Sequence, residues 1–186
     1  MITKEKALSI LHENIKNKNL QKHHYAVAVA MKGLALELGG DADLWEIVGL
    51  LHDADYEQTK DQTELHTIVL AEILNREGVG EEIIRAIQSH AYEYSGKMPE
   101  NQLEYALLSC DDLTGLIVAV ALVHPEKLAG VTVKSVLKKF GSKSFAAGAD
   151  REKIKLCEKN LNISLADFIN LVLKAMQEEA GPLGLE

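Results

Sequence analysis

The sequence predicts an all-α fold, and three features of the chain support that prediction. Apolar residues recur at intervals of three and four, the spacing that places them on one face of a helix. Only three prolines occur in 186 residues, and the glycines fall mostly at joints between the apolar stretches. No stretch shows the two-residue alternation that is typical of a half-buried strand. We therefore expect one domain, 1–186, built from helices.

Nine helices are predicted between these joints, and each is bounded by glycine, proline or a polar cluster. Their expected ranges are 3–16, 19–38, 43–54, 63–77, 80–93, 101–123, 131–140, 149–160 and 164–180. The helices within 19–123 are expected to form a core bundle. The remaining helices are expected to form a C-terminal helical extension over 124–182.

The composition is that of an ordinary soluble globular domain, with 47% hydrophobic and 26% charged residues. We expect no apolar run as long as the roughly 20 residues that a membrane span needs, so no membrane partner is expected. The N-terminus lacks the apolar segment of a secretory signal, and Cys110 and Cys157 belong to no CxxC pair. We expect a cytoplasmic protein with reduced cysteines. A formal net charge of −8 argues against nucleic acid as a bulk partner.

Six ionisable residues interrupt the apolar faces of the second to sixth predicted helices. They are His23, His52, Asp53, His66, His90 and Asp111. His23 lies on the stripe that contains Leu20 and Val27. Asp111 lies on the stripe that contains Leu107 and Thr114. Helices of a bundle can bring such groups to one point.

A shared metal ion is the interpretation that best explains these six positions together. Burial of an unpaired charge is costly, and a bound cation removes that cost. Each residue taken singly is more often a hydrogen-bonded core histidine, a helix cap or half of an ion pair. The neighbouring His24 also lies on an apolar face, so periodicity alone does not choose between His23 and His24.

Three short motifs give the chain a resemblance to the HD domain of metal-dependent phosphohydrolases. They are Leu20-Gln-Lys-His23-His-Tyr-Ala-Val27, Gly49-Leu-Leu-His52-Asp53 and Cys110-Asp111-Asp112-Leu-Thr-Gly115. The resemblance implies an HD-domain helical bundle with additional C-terminal helices. It also implies that His23 and Asp111, rather than their neighbours, are metal ligands. The stretch 134–176 is similar to that of small HD hydrolases of bacteria and archaea.

The resemblance further implies a metal centre and a reaction class. His66 and His90 resemble the extra histidines of family members that hold two metal ions. The resemblance therefore favours two ions, with Asp53 as the bridging ligand and the expected catalytic residue. A single ion is the alternative. Imidazole and carboxylate donors suit iron, manganese, cobalt, nickel or zinc, and leave magnesium open. The expected reaction is hydrolysis of a phosphomonoester or phosphodiester, with a nucleotide or dinucleotide as substrate. In this chain the His52-Asp53 doublet is followed by Ala54-Asp55-Tyr56. In the cyclic-dinucleotide phosphodiesterase subgroup the corresponding doublet is followed by Gly-Lys.

The substrate contacts are expected to come from a basic segment near the C-terminus. Residues 126–159 contain nine Lys or Arg against four Asp or Glu. Lys143 and Arg151 are the predicted phosphate-binding residues, and solvated side chains are the alternative. Asp55, Glu57 and Asp112 are the candidates for orienting the metal-binding histidines; ordinary surface carboxylates would explain them equally well.

Two other functions are compatible with the same six residues. Some di-iron HD proteins resemble this chain in their ligands and activate oxygen. Alternatively, the pocket could be a sensor that holds a metal ion and a nucleotide without turnover. The ligand pattern alone does not separate these functions from hydrolysis.

Overall fold

The apolar stretches between the joints fold into helices throughout residues 2–186, the part of the chain that this computed structural model describes. The helices are α1 Lys4–Asn14, α2 Lys18–Leu38, α3 Ala42–Leu51, α4 Tyr56–Thr59, α5 Ile68–Arg76, α6 Glu81–His90, α7 Tyr92–Ser95, α8 Gln102–Leu122, α9 Val133–Phe140, α10 Arg151–Leu156, α11 Leu165–Glu178 and α12 Ala180–Leu183. Turns of 3-10 helix cover Thr63–Leu65 and Lys127–Gly130, and a π-helical turn covers Cys157–Leu161. Residues 2–186 contain no β-strand, and the predicted all-α fold class is confirmed.

Polar side chains mark where the helices that carry the candidate ligands begin. Asn17, Asp41 and Asn101 each accept hydrogen bonds from backbone N–H groups in the first turn of α2, α3 and α8. The first turn of a helix leaves these N–H groups without a partner, and a capping side chain stabilises the helix by roughly 1 kcal/mol. The register of each helix is therefore tied to a residue that the sequence specifies.

Helix α2 is the central element, and it packs against α3, α8 and α11. Its contact with α3 is unusually close, because Gly49 of α3 faces the backbone of α2. A Cβ atom built on Gly49 would lie 2.7 Å from the Cα atom of Ala28 and 2.8 Å from its nitrogen. Only glycine fits such an approach without a shift of the helices. This contact brings the end of α3 against the first half of α2.

The C-terminal helices continue the same apolar core. Helix α11 packs against α2, α8 and α9, and it buries Phe168 and Met176 completely. Val136 of α9 and Ile154 of α10 are also fully buried in this core. Helix α10 packs along α8, the helix that carries Asp111. The extension can therefore contribute to the surroundings of the candidate site.

Three predicted helices differ from the observed ones, because the backbone changes conformation within their ranges. The predicted range 63–77 begins as a 3-10 turn, and Thr67 adopts a left-handed backbone (φ 64°) before α5 starts. His66 therefore lies in a connection rather than on a helix. The range 80–93 breaks after His90, where Ala91 leaves the helical conformation. The range 149–160 continues from α10 into the π-helical turn.

Helix α8 corrects the prediction that no apolar segment is long enough to span a membrane. It has 21 residues, and an 18-residue window of it reaches a mean hydropathy of 1.6. By length and composition alone it could cross a bilayer. However, 61% of that window is buried inside the fold. The interior position explains why the helix is apolar on nearly every face.

Candidate metal centre

Two groups of possible metal ligands lie side by side and share one carboxylate. The first contains His23, His52 and Asp53, and the second contains Asp53, His66 and His90. Within each group the donor atoms all lie within 4.8 Å of one another. Asp111 joins the first group, because its Oδ1 atom lies 3.0 Å from His23 Nε2. The structure thus brings together all six residues that the sequence singled out.

The first group lies where α2, α3 and α8 meet. The Nε2 atoms of His23 and His52 are 3.2 Å apart. Asp111 Oδ1 is also 3.5 Å from His52 Nε2. This placement follows from the close approach at Gly49, because His52 comes one helical turn after it. The three side chains point the atoms that can bind a metal at a common centre.

The second group forms around the Oδ1 atom of Asp53. Asp53 Oδ1 lies 3.0 Å from His90 Nε2 and 3.2 Å from His66 Nε2. Its Oδ2 atom faces the first group, 3.7 Å from His52 Nε2. One carboxylate therefore offers one oxygen to each group. That arrangement is compatible with a carboxylate that bridges two ions.

Backbone carbonyls hold two of the histidines with Nε2 directed inward. His52 Nδ1 donates to the Gly49 carbonyl oxygen at 2.9 Å, and His90 Nδ1 donates to the Ile87 carbonyl oxygen at 2.5 Å. A carbonyl oxygen can only accept, so the Nδ1 atoms must carry the hydrogens. Both rings can then present an unprotonated Nε2 to a metal. Histidines that bind metals are commonly oriented in this way, by a hydrogen bond from the ring nitrogen that does not touch the ion.

His66 is oriented by a side chain, because it lies outside the helices. Its Nδ1 atom donates to Asp55 Oδ1 at 2.9 Å. The other oxygen of Asp55 accepts from the backbone nitrogens of Thr67 at 2.8 Å and Leu70 at 3.1 Å. Asp55 is completely buried. It therefore anchors both the start of α5 and the ring of His66.

The other two candidate orienting carboxylates differ from Asp55. Glu57 accepts hydrogen bonds from the backbone nitrogens of Lys16 and Asn17, which join α1 to α2. Asp112 accepts from the backbone nitrogen of Asp150 at 2.9 Å and so ties the start of α10 to α8. Neither bond orients a histidine of the two groups. Thr114 is fully buried and donates to the Asp111 carbonyl oxygen, so it packs rather than lines the cavity.

His24, the neighbour that periodicity could not separate from His23, takes a structural position. It is completely buried, and its Nδ1 atom donates to the Leu50 carbonyl oxygen at 2.9 Å. Burial and the nearby His52 lower the pKa of His24 to about 3, so the ring stays neutral. Its Nε2 atom has no hydrogen-bond partner among the described residues. His23, and not His24, belongs to the clustered groups.

Strong electrostatic coupling marks the two groups. Burial disfavours a charged His52, but the carboxylates of Asp53 and Asp111 outweigh it and raise the pKa of His52 to about 9. Burial likewise opposes a charged His66, while Asp53 and Asp55 raise its pKa to about 10. Burial alone would raise the pKa values of Asp53 and Asp111. The adjacent histidines instead hold both pKa values well below the usual range.

These contacts fit a divalent transition metal. Four imidazoles and two carboxylates within contact distance form a donor set without thiolate, which suits iron, manganese, cobalt, nickel or zinc. The pair of Nε2 atoms at 3.2 Å needs a proton or a cation between them, because two ring lone pairs repel. The carboxylates already stabilise positive charge there. A cation can therefore replace the protons that the histidines hold.

The second group opens into a cavity of about 390 Å³. Its lining comes from the candidate ligands, from the α4 and α7 segments, from α8, and from α10 with the loop before it. The lining residues are Asp53, Tyr56, Thr59, Thr63, His66, His90, Ala91, Glu93, Tyr94, Leu108, Asp111, Asp112, Gly148 and Lys153. Carboxylates and aromatic rings thus line the cavity together with the candidate metal ligands.

The predicted phosphate-binding residues Lys143 and Arg151 do not line this cavity. Arg151 donates from its guanidinium group to the carbonyl oxygens of Phe145, Ala146 and Ala149, so it organises the preceding loop. Lys143 is exposed. Lys153, two residues after Arg151, is the lysine on the cavity wall. Sequence reasoning missed it because nine cations in the segment gave no means of choosing one.

Comparison with known proteins gives three findings. The HD domain family matches residues 20–121. Ribonuclease Y of Lawsonia intracellularis (strain PHE/MN1-00) is 34% identical over 97 residues, which is 52% of this chain and 18% of that protein. The crystal structure of the HD domain of the L. monocytogenes phosphodiesterase PgpH, in complex with cyclic-di-AMP, superposes with a TM-score of 0.59 at 15% identity. That superposition covers 94% of this chain and 95% of the other.

Proposed function

The chain belongs to the HD domain family, and on that premise we propose that it is a metal-dependent phosphohydrolase acting on a small phosphorylated molecule, a nucleotide or a dinucleotide. One observation carries the proposal. Asp53 presents one oxygen to each of two histidine groups, and it does so at the wall of an open cavity. A purely structural metal site would be closed by its ligands.

The residues that would hold the metal are those of the two groups. His23, His52 and Asp111 would hold one ion, His66 and His90 would hold a second, and Asp53 would be shared. A bound divalent ion supplies Lewis acidity, which neutralises phosphate charge and makes water a better nucleophile near neutral pH. Asp53 stays ionised because its pKa is held low, which suits a shared ligand.

The cavity supports a substrate of nucleotide size. Its volume of about 390 Å³ lies in the range of small-molecule sites. Tyr56 and Tyr94 line it and keep 42% and 46% of their surface exposed. Exposed aromatic rings on a cavity wall can stack with a nucleobase. The bound cyclic-di-AMP in the PgpH structure supports the same class of ligand by analogy of fold.

The residues after the His52-Asp53 doublet bear on which substrates are to be tested. Here the residue after Ala54 is Asp55, which holds His66 and the start of α5. The cyclic-dinucleotide phosphodiesterase subgroup has Gly-Lys after the doublet. Linear nucleotides and phosphomonoesters thus belong among the substrates to be tested.

The experiment is elemental analysis of the purified protein, followed by hydrolysis assays with the metal that is found. The panel contains p-nitrophenyl phosphate, bis-p-nitrophenyl phosphate, nucleoside mono- and triphosphates, cyclic-di-AMP and a short RNA, since one relative is named a ribonuclease. We expect release of phosphate or nucleotide. His52→Ala should abolish it, whereas His12→Ala, at an exposed histidine of α1, should not.

Three outcomes would contradict the proposal. Metal-loaded protein that binds a nucleotide without releasing product over hours would instead support a sensor. Aerobic oxidation of a diol or phosphonate, with a mixed-valent iron signal, would support an oxygenase. Hydrolysis that survives both His52→Ala and removal of the metal would place the activity elsewhere.

A further inference from the structure

Lys153 has an unusual position for a surface lysine. It lies on the cavity wall with its side chain 22% exposed. Its ammonium group contacts Glu93 Oε1 at 2.9 Å and lies 5.4 Å from the centre of the Tyr92 ring. A carboxylate and an aromatic face hold the group in place. Burial lowers the pKa of Lys153, but Glu93 more than offsets this and raises it, so the side chain stays charged.

The charges around the cavity make this lysine distinctive. Among the described residues that line it, Lys153 is the only Lys or Arg, whereas four carboxylates are present. Two of these, Asp53 and Asp111, belong to the metal-binding groups. Glu93 is paired with Lys153, and Asp112 accepts a backbone hydrogen bond from Asp150. A phosphate that enters would meet one lysine side chain on the same wall that carries the candidate metal ligands Asp53, His66, His90 and Asp111.

The position of Lys153 depends on the C-terminal extension. Asp150 caps α10 by accepting from the backbone nitrogen of Glu152 at 2.8 Å, and its own nitrogen donates to Asp112. The first turn of α10 is thereby fixed to α8 beside Asp111. Lys153 lies in that first turn. The extension thus delivers a positive charge to a cavity whose other charged groups come from the HD-matching region.

We propose that Lys153 is the substrate-recognition residue of this cavity and that it binds a non-bridging phosphate oxygen of the substrate. This inference rests on the proposed function, because it assumes that the cavity takes a phosphorylated ligand. Glu93 holds the ammonium group when no ligand is bound and competes with the phosphate for it. The phosphate would then lie between the lysine and the metal-binding groups.

The test compares Lys153→Met with Lys155→Met. Lys155 is on the same helix, exposed, and paired with Glu152 outside the cavity. We expect Lys153→Met to raise KM roughly ten- to a hundred-fold with a smaller change in kcat. Loss of one hydrogen bond to a charged group weakens binding by about that factor. Lys155→Met should leave KM unchanged. Lys153→Arg should restore most of the affinity. The effect should be larger for dianionic p-nitrophenyl phosphate than for the monoanionic diester.

Glu93→Gln separates recognition from a structural role. If Lys153 only fastened α10 through its ion pair, Glu93→Gln and Lys153→Met would lower thermal stability alike and leave KM unchanged. Recognition predicts opposite signs, because Glu93→Gln removes the competing carboxylate and should lower KM. Equal effects of the two variants on KM, or no effect of Lys153→Met, would overturn the proposal.

A binding measurement keeps this inference distinct from the proposed function. Inorganic phosphate and a nucleoside monophosphate are titrated calorimetrically into metal-loaded protein and into the variants. If no substrate is hydrolysed but Lys153→Met weakens this binding, the hydrolase proposal fails and the recognition role stands. If substrates are hydrolysed and Lys153→Met leaves binding and KM intact, the recognition role fails alone.

Discussion

At the scale of single residues, three of the four histidines of the candidate site are held by contacts at Nδ1 that direct Nε2 inward. Main-chain carbonyl oxygens orient His52 and His90, whereas Asp55 orients His66. The sequence offered Asp55, Glu57 and Asp112 as equal candidates for this role. Asp55 alone is completely buried and bonded to a site histidine. Spacing could not distinguish them, because the difference arises from a turn that the chain makes at Thr67.

The residue-scale prediction compares Asp55→Asn with Glu57→Gln. An asparagine at 55 replaces one carboxylate oxygen by a donor, so it cannot both accept from His66 and serve the two backbone N–H groups. We expect metal affinity to fall roughly ten- to a hundred-fold, as when other outer contacts of metal ligands are removed. Elemental analysis and competition with a fluorescent chelator measure it. Glu57→Gln should keep wild-type affinity, and equal losses in both variants would contradict this role.

At the scale of elements, the site depends on how closely α3 approaches α2. Gly49 removes the side chain that would keep them apart, and His52 then lies 3.2 Å from His23. The motif containing Gly49 was recognised from the sequence, but the reason for its glycine was not. A glycine inside a helix usually lowers stability. Here the closer packing of two helices accounts for it.

The element-scale prediction compares two glycines that both lie inside helices. Gly49→Ala would place a Cβ atom within 2.9 Å of three backbone atoms of α2, so the helices must separate. We expect a loss of about 1–3 kcal/mol in the free energy of unfolding and weaker metal binding, because His52 moves away from His23. A Cβ atom built on Gly115 of α8 would have no atom of another helix within 4 Å. Gly115→Ala should be neutral or slightly stabilising, and urea denaturation measures both variants.

At the scale of the whole molecule, the two groups connect segments that are distant in sequence. Helices α2, α6 and α8, the residues that follow α3 and the connection before α5 each contribute a candidate ligand. In the metal-free protein the apolar core packs these segments together, and protonated His52 and His66 pair with the carboxylates between them. A metal ion that replaces those protons binds the folded state and not the unfolded chain, so it stabilises the fold as a whole.

The whole-molecule prediction concerns pH and metal together. The pKa values of His52 and His66 rise from 6.5 to about 9 and about 10 on folding. Their stabilising contribution is therefore fully present below pH 6.5 and is lost as pH rises through about 9 to 10. Chelator-treated protein should become less stable across that range.

Metal binding should follow the opposite trend, because it displaces the protons. The rise in Tm on adding Mn²⁺ should be larger at pH 8.5 than at pH 6.5, as scanning calorimetry can measure. His52→Gln should flatten both pH dependences, and His12→Ala should not. A metal-induced rise in Tm that is independent of pH would argue that the ion binds away from these histidines.

The sequence alone determined the helical fold class and the six clustered residues, because helical periodicity and the short HD motifs are local patterns. It also separated His23 from His24 by motif, which the burial of His24 now explains. The tertiary structure decided which carboxylate orients His66, which lysine reaches the cavity and where α5 begins. Those features depend on contacts between residues far apart in the chain, such as Asp55 with Leu70 and Asp112 with Asp150. Such contacts form only when the helices pack, so no local pattern encodes them.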